Sequence, residues 1–234
     1  MALLELASIR KVYRKGESEV VALGGIDLSI EKGEFLAVVG PSGSGKTTLL
    51  NILGCLDAPS SGTLTYAGKP LRILGERELT AYRKEHVSFV FQSFNLIPVL
   101  TVAENVELPL VIDGSGGARN RTGKAELRKK ALRMLEAVGI GHLADRFPRE
   151  ISGGQEQRVA IARALVKDPS VVLADEPTAN LDSRTAREIV DLMRDINASS
   201  GATFVFSTHD PLVMDRARRV VELHDGAVLR DERR

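Results

Sequence analysis

The chain has 234 residues, of which 43% are hydrophobic, so it can bury one sizeable core, and its net charge of +1 lacks the basic excess expected with a nucleic-acid partner. Its one cysteine, Cys55, excludes an internal disulfide and carries no metal-site spacing. No stretch approaches the roughly 20 apolar residues that span a bilayer, so we expect a soluble chain that reaches a membrane only through a partner.

Two patterns predict strands of different kinds. Residues 1 to 34 alternate polar and apolar side chains, as in Asp27 to Ile30, which predicts antiparallel strands. Three later runs are apolar without alternation, which is typical of strands covered on both faces of a parallel sheet: Phe35 to Val39, Val171 to Ala174 and Thr203 to Phe206. Each of these runs ends in polar residues. Because ligands of open α/β sheets bind at the carboxyl ends of the strands, these ends predict a nucleotide-binding core.

Helices are predicted from apolar spacing and from start and stop signals. They cover Lys46 to Leu53, Ala125 to Val138, Gln155 to Val166 and Arg184 to Ile196. The mostly helical interval 87–149 is predicted to be a subdomain inserted into a core formed by residues 1–86 and 150–234. Within it, Asp113 to Gly123 is rich in Gly, Ser and Asn and predicts a surface loop.

A phosphate-binding loop is predicted after the first apolar run, where the sequence reads Gly40-Pro41-Ser42-Gly43-Ser44-Gly45-Lys46-Thr47 and fits G-x-x-x-x-G-K-[ST]. Glycines let backbone N–H groups turn toward phosphate oxygens, and the following helix presents its positive end to them. We expect Lys46 to reach the β- and γ-phosphates and the Thr47 hydroxyl to ligate Mg²⁺. The fold class is therefore α/β: a P-loop NTPase core of mostly parallel sheet, an N-terminal antiparallel β subdomain and an inserted helical subdomain.

An acidic pair ends the second apolar run. Asp175 closes the strand, and we assign its carboxylate to Mg²⁺ through water. Glu176 follows and points differently, which makes it the candidate general base for the attacking water. An ordinary solvated strand end is the alternative, and the phosphate loop in the same chain argues against it.

The sequence Ser152-Gly153-Gly154-Gln155 precedes a predicted helix and has the capping-box form S-x-x-Q. It is therefore a helix N-cap, and a glycine-backed helix N-terminus is also an anion site. Because the phosphate loop already holds the phosphates from one side, this second site predicts a sandwich. The S-G-G-Q of one subunit would cap the γ-phosphate held by another.

Together these motifs resemble the nucleotide-binding subunit of an ABC transporter, and the resemblance covers essentially all of the chain. It implies ATP and Mg²⁺ as cofactors, a homodimer, an integral membrane permease as partner, and a location on the cytoplasmic face of the inner membrane. It also implies roles for single residues. Gln92 would be the Q-loop contact to Mg²⁺ or water, His209 the switch histidine, and Asp182 part of a D-loop at the dimer seam. Tyr13 would be the aromatic that stacks on adenine, and Thr48 would be among the nucleotide-binding residues. Ile151 and Glu156 depart from the usual signature, which has Leu and Gln there.

Segments after Gln92, namely Phe94 to Pro98 and Thr101 to Leu110, resemble the branch that holds lipoprotein-release ATPases, macrolide and peptide exporters, and a cell-division ATPase. Leu96, Ile97 and Leu100 are predicted either to form a groove for a partner's helix or to pack inside the helical subdomain.

Three alternatives belong to other functional classes. A DNA-repair ATPase needs long coiled-coil insertions, and no sustained heptads appear in this sequence. A translation-factor type carries two phosphate loops in one chain, whereas this sequence has one. A regulator that transmits force to a wall-modifying enzyme, without moving cargo, has the same ATPase core and stays open.

Overall fold

The computed structural model describes residues 2–16, 18–71, 75–112 and 121–234. Its strands are β1 (Ala2–Lys15), β2 (Ser18–Glu31), β3 (Phe35–Val39), β4 (Ser61–Tyr66), β5 (Lys69–Pro70), β6 (Val87–Val90), β7 (Val171–Asp175), β8 (Thr203–Ser207), β9 (Arg219–His224) and β10 (Ala227–Arg233). Its α-helices are α1 (Lys46–Leu53), α2 (Glu76–His86), α3 (Val102–Ile112), α4 (Arg121–Ala137), α5 (Gly153–Leu165), α6 (Ser183–Ser200) and α7 (Pro211–Arg216).

The strands form two sheets. A four-stranded sheet has the order β2-β1-β4-β5 and is antiparallel. A six-stranded sheet has the order β10-β9-β3-β8-β7-β6, and all its pairs are parallel except the edge pair β10–β9. The predicted α/β fold, with its N-terminal antiparallel sheet and its mostly parallel core, is confirmed.

The central strands of the six-stranded sheet are covered on both faces, as their unbroken apolar runs predicted. All five residues of β3 and of β8 are buried. Phe35 and Ala37 face one hydrophobic cluster, which includes residues of α3 to α7, whereas Leu36 and Val38 face a second cluster, formed with α1 and the antiparallel sheet. The core therefore lies in two layers, and the strand ends between them are free to carry polar side chains.

Three predicted helices are longer in the structure than in the sequence analysis. Helix α5 begins at Gly153 with Ser152 as its N-cap. Helix α6 runs on to Ser200 because Gly201, in the left-handed conformation with φ 71°, ends it. Helix α4 begins at Arg121, so residues 121–123 of the predicted loop are helical, and residues 113–120 lie outside the described residues. The buried apolar face of α4 that packs on the core begins at Leu127.

The segment predicted to be a helical subdomain starts with a strand of the core. Strand β6 pairs with β7 in the six-stranded sheet, and helices follow only after it. Because α3, α4 and α5 share one hydrophobic cluster with β3 and β7, the division into core and helical subdomain stays a prediction. In the described part of the chain, no helix combines the length and the apolar character needed to cross a membrane.

Candidate functional site

The phosphate loop joins β3 to α1 through three glycines with positive φ, a backbone region that favours glycine. Gly40, Gly43 and Gly45 have φ of 150°, 83° and 104°. A Cβ on Gly40 would lie 2.2 Å from the carbonyl oxygen of Leu223, and one on Gly45 would lie 2.5 Å from that of Ala22. The loop is therefore fixed against β9 and β2, and the N-terminus of α1 follows it directly.

Two side chains at the start of α1 have the positions that the phosphate-loop pattern requires. The Lys46 Nζ donates to the carbonyl oxygens of Gly40 at 2.8 Å and Pro41 at 3.1 Å, so the ammonium lies over the loop. The Thr47 hydroxyl lies 3.3 Å and 3.4 Å from the two carboxylate oxygens of Asp175. The structure thus brings the loop and the end of β7 together. The hydroxyl and the carboxylate are hard oxygen donors of the kind Mg²⁺ takes beside substrate phosphates.

Glu176 lies at the turn after β7 and contacts the residues that follow β8. It has φ of 47°, and its N–H donates to the carbonyl of Ser207 at 2.8 Å. One carboxylate oxygen lies 2.8 Å from Nδ1 of His209, and the other accepts from the Thr208 hydroxyl at 3.3 Å. His209 is 75% exposed at its side chain, whereas Glu176 is 17% exposed. A fixed carboxylate beside an open imidazole is suited to orienting and deprotonating a water.

The signature sequence caps α5 but does not touch the phosphate loop. The Gln155 Oε1 accepts from the Ser152 N–H at 2.9 Å, as the S-x-x-Q pattern predicted. Within the described residues, no hydrogen bond or ion pair joins Ser152–Gln155 to Lys46, Thr47, Asp175 or His209. The two predicted anion sites are thus separate within one chain.

The two signature glycines differ in their surroundings. A Cβ on Gly154 would lie 2.4 Å from Cγ2 of Thr185 on α6, so a side chain has no room there. A Cβ on Gly153 would meet nothing closer than the Phe94 ring at 3.9 Å, which is ordinary contact. The packing of the chain therefore explains Gly154, whereas a methyl group at Gly153 would meet only ordinary contact with the Phe94 ring. Two residues after Gly154, burial raises the pKa of the Glu156 carboxyl.

The Q-loop and D-loop residues lie beside each other. Gln92 is exposed, and its backbone carbonyl accepts from Nδ2 of Asn180 at 3.0 Å. Asp182 is the N-cap of α6 and accepts from the Arg184 and Thr185 N–H groups. Hydrogen bonds from the Thr185 hydroxyl and N–H lower the pKa of the Asp182 carboxyl below its usual range. The predicted contacts of Gln92 with Mg²⁺ and of Asp182 with a second subunit stay predictions.

Tyr13 is held from one side. Its hydroxyl donates to Asp57 at 2.8 Å, and the Lys11 ammonium lies 4.9 Å from the ring centroid while donating to the other Asp57 oxygen at 2.5 Å. Burial alone would raise the pKa of the Asp57 carboxyl, but the bonds from Lys11 and Tyr13 and the charge of Lys11 bring it below its usual range. The ring is 40% exposed, and its role in stacking on adenine stays a prediction.

The apolar residues that the sequence analysis named after Gln92 are only partly buried, so the choice between a partner groove and internal packing stays a prediction for Ile97 and Leu100. Leu96 is partly buried against the main hydrophobic cluster, while Ile97 and Leu100 are half-buried. Val99, which the sequence analysis did not single out, is 78% exposed.

Sequence reasoning also missed several polar residues that support the site. Gln157 is fully buried and donates to the carbonyl of Pro177 at 2.7 Å, next to Glu176. The Thr178 hydroxyl donates to Asp210 at 2.7 Å, and Asp210 also caps α7. A glutamine on the buried face of a predicted helix is a signal that pattern analysis can find, but its partner is visible only in the fold.

Comparisons with known proteins identify the family of the chain. A family model described as "ABC transporter" matches residues 23–179. An uncharacterised ABC transporter ATP-binding protein of Methanocaldococcus jannaschii, MJ0796, is 44% identical over 99% of this chain and 97% of its own length. A solved dimeric structure of MJ0796 in a post-hydrolysis state, bound to ADP and Pi, covers 98% of both chains with a TM-score of 0.88 and 44% identity.

A second group of relatives is longer. The macrolide export ATP-binding/permease protein MacB of Syntrophobacter fumaroxidans is 46% identical over 97% of this chain but only 31% of its own length, so the chain spans about a third of this relative. Two findings lead to one conclusion: the family model matches most of the chain, and MJ0796 matches it over nearly its full length. The arrangement of the side chains is consistent with this conclusion, namely those of Lys46, Asp175, Glu176 and His209. The chain belongs to the ABC transporter family and is an ATP-binding, ATP-hydrolysing domain of that family.

Proposed function

We propose that two copies of this chain bind two ATP molecules, each between the phosphate loop of one copy and the Ser152–Gln155 sequence of the other. Closing of this dimer would drive export through a membrane permease. The observation that carries the proposal is the separation of the two anion sites within one chain, because no hydrogen bond or ion pair joins the Ser152–Gln155 sequence to the phosphate-loop side of the described structure. The dimeric MJ0796 structures support it, because their cassettes are 44% identical to this chain.

The chemistry follows from the contacts at the ends of β7 and β8. Glu176 takes a proton from the attacking water, and His209, 2.8 Å away, orients that carboxylate and reaches the γ-phosphate. Lys46 and the loop N–H groups stabilise the charge that develops on the transferred phosphoryl group. Thr48 and Tyr13 are assigned to nucleotide binding, with Tyr13 against the adenine.

Thr47 and Asp175 are proposed to hold Mg²⁺, with Gln92 as a further contact. When bound, the ion neutralises charge on the β- and γ-phosphates. The donor set fits such a role, because Mg²⁺ is bound by one or two protein oxygens together with phosphate oxygens and water. In the described residues no group of three His, Cys, Asp or Glu side chains forms a cage for an ion, which fits a metal that arrives with its nucleotide.

The surface that follows Gln92 is proposed to bind the permease. Val99 is exposed, and Leu96, three residues before it in the same segment, packs on the core. A partner that binds Val99 through apolar contacts could therefore displace a segment that contacts the core. The MacB relatives join an ATP-binding part to a permease in one protein, which supports an export function and a place at the cytoplasmic face of the inner membrane. The comparisons give no support to a regulator of wall-modifying enzymes.

The test uses Glu176→Gln, which keeps the size of the side chain and removes the base. Expected results are loss of turnover by a factor of about 100 or more, retained ATP binding, and a stable dimer with ATP but not with ADP. Glu188→Gln, an exposed carboxylate on α6, is the matched control and should keep wild-type turnover. Hydrolysis by Glu176→Gln at near wild-type rate would show that Glu176 is not the base.

The partner is tested with the same closed dimer. Captured on a resin with ATP and incubated with native membranes, it should retain a membrane protein with a large extracytoplasmic domain. Glu176→Gln/Val99→Asp should still dimerise with ATP but lose that protein. Equal recovery with both variants would place the permease contact elsewhere, and a dimer that recovers no membrane protein would favour a soluble ABC ATPase.

A further inference from the structure

Arg163, in the last turn of α5, connects the signature helix to the segment after Gln92. Its two terminal nitrogens donate to successive backbone carbonyls, one to Asn95 at 2.5 Å and the other to Phe94 at 2.6 Å. Phe94 and Asn95 both have positive φ, of 55° and 51°. A left-handed conformation is uncommon for a bulky residue such as Phe, so it persists only where surrounding contacts hold it. The guanidinium supplies two such contacts.

The chemistry of these contacts is specific to arginine. A guanidinium presents a rigid fork of donors, whereas a lysine ammonium is a single point that cannot bridge two carbonyls in the same way. Among the described residues, no carboxylate forms an ion pair with Arg163, and burial lowers the pKa of its guanidinium. A partly buried cation without an acidic partner is costly, so its pairing with the two carbonyls is its main compensation.

The segment 92–95 is held from both ends. Asn180, in the turn after β7, donates to the carbonyl of Gln92 at 3.0 Å, while Arg163 holds the carbonyls of Phe94 and Asn95. The Phe94 ring lies 3.9 Å from the position of a Cβ on Gly153. Thus the segment that leads to Val99 places an aromatic ring against the first glycine of the signature sequence. Arg163 determines the backbone from which that ring projects.

We propose that Arg163 is a positioning residue that locks segment 92–95 to α5, so that a displacement at the permease-facing surface moves the Ser152–Gly153 end of α5 with it. Without the fork, the segment relaxes and the signature end of α5 is no longer held in the orientation that closes on a second subunit. The inference rests on the proposed ATP-driven dimer.

The experiment measures dimer formation and nucleotide binding separately. In the Glu176→Gln background, the ATP concentration for half-maximal dimerisation is compared among the parent, Arg163→Lys and Arg163→Ala by light scattering. We expect an increase of about tenfold for Arg163→Lys and a larger one for Arg163→Ala. The affinity for ADP, which reports the phosphate-loop side alone, should change by less than about twofold. Millimolar guanidinium ion should partly restore dimerisation of Arg163→Ala.

The matched control is Arg158→Lys on the same helix. Arg158 also donates to a backbone carbonyl, that of Val138 at 2.8 Å, but outside segment 92–95. It should show a change in thermal stability without a shift in the ATP dependence of dimerisation. An equal shift for Arg158→Lys and Arg163→Lys, or no shift for Arg163→Lys, would overturn the inference. Failure of the Glu176→Gln parent to dimerise would instead overturn the proposed function.

Discussion

The ends of β7 and β8 and the start of α5 carry the two halves of the proposed site, and they are built in opposite ways. At the strand ends, Asp175 contacts Thr47 of α1 and Glu176 contacts His209, and the buried strands β7 and β8 fix the positions of these residues. At the start of α5, Ser152 is exposed and Gly153 is half-buried, and the described contacts of the helix are with other parts of the same chain. The first half already brings together, within one chain, the side chains proposed for hydrolysis. The second half is held in place by packing but would contact a nucleotide only in a second copy of the chain.

The difference has a physical origin. Parallel strands bring their carboxyl ends to one edge of the sheet. Residues that follow different strands therefore meet there because of the strand pairing itself. A helix N-terminus offers its N–H groups to an anion but must be held in direction by other elements. Thr185, Arg163 and Gln157 provide that support for α5. Changes at the strand ends should therefore alter chemistry at constant stability, and changes behind α5 should alter stability or geometry first.

The largest expected effect is at the strand ends. Asp175→Asn keeps the shape of a side chain whose described contact is with Thr47, but it removes the charge that we propose binds Mg²⁺. We expect steady-state ATP hydrolysis to fall by about 100-fold or more, with a change in unfolding free energy below about 1 kcal/mol. Asp191→Asn, on α6 and paired with Arg216, is the same substitution away from the site and should keep its turnover. Near wild-type hydrolysis by Asp175→Asn would remove Asp175 from the metal site.

A smaller effect is expected behind α5. Gly154→Ala brings a Cβ to 2.4 Å from Cγ2 of Thr185, whose hydroxyl is held by Asp182 at 2.6 Å and so cannot turn away freely. The clash should lower the free energy of unfolding by about 1–2 kcal/mol, measured by urea denaturation.

The control variant in this series removes the clash itself. Thr185→Ser deletes Cγ2 and keeps the hydroxyl, so Gly154→Ala/Thr185→Ser should be more stable than Gly154→Ala alone. Gly153→Ala, whose Cβ has room within the chain, should fold normally and impair only the ATP-driven dimer. If Gly154→Ala is as stable as Gly153→Ala, packing against α6 is not the reason for this glycine.

The smallest effect concerns pH and Asp57, which lies outside both halves. The pKa of its carboxyl is lower in the folded protein than in the unfolded chain, so the folded state favours the ionised form. This stabilisation is present above the unfolded pKa of roughly 3.9 and is lost as pH falls through the lower folded pKa.

Asp57→Asn should therefore be less stable than the wild type at pH 7 by up to about 1 kcal/mol, and the difference should shrink toward acid pH. Urea unfolding at a series of pH values measures it. Asp195→Asn, the same substitution at a carboxylate with 75% side-chain exposure, is measured alongside for comparison. A difference for Asp57→Asn that is constant with pH would mean that the ion pair with Lys11 does not contribute.

Much of the fold could be predicted because its signals are local. The apolar runs of β3, β7 and β8 predicted buried parallel strands, and the start of α1 at Lys46 followed from the phosphate-loop pattern. The position of the signature sequence at a helix N-terminus came from S-x-x-Q and is confirmed by Ser152 as N-cap. The helix boundaries were less accurate, because caps such as Gly201 and packing on the core decide where a helix ends.

The sequence by itself determined the chemistry of this protein, because residue type and spacing suffice to specify a phosphate loop, an acidic strand end and a glycine-backed helix start. Only the tertiary structure decided which residues hold these parts in place. Arg163 meets Phe94 and Asn95, Gln157 meets Pro177, and Gly154 meets Thr185, each between residues at least 20 positions apart in the sequence. Such contacts arise when packed layers bring distant segments together, so no local pattern encodes them.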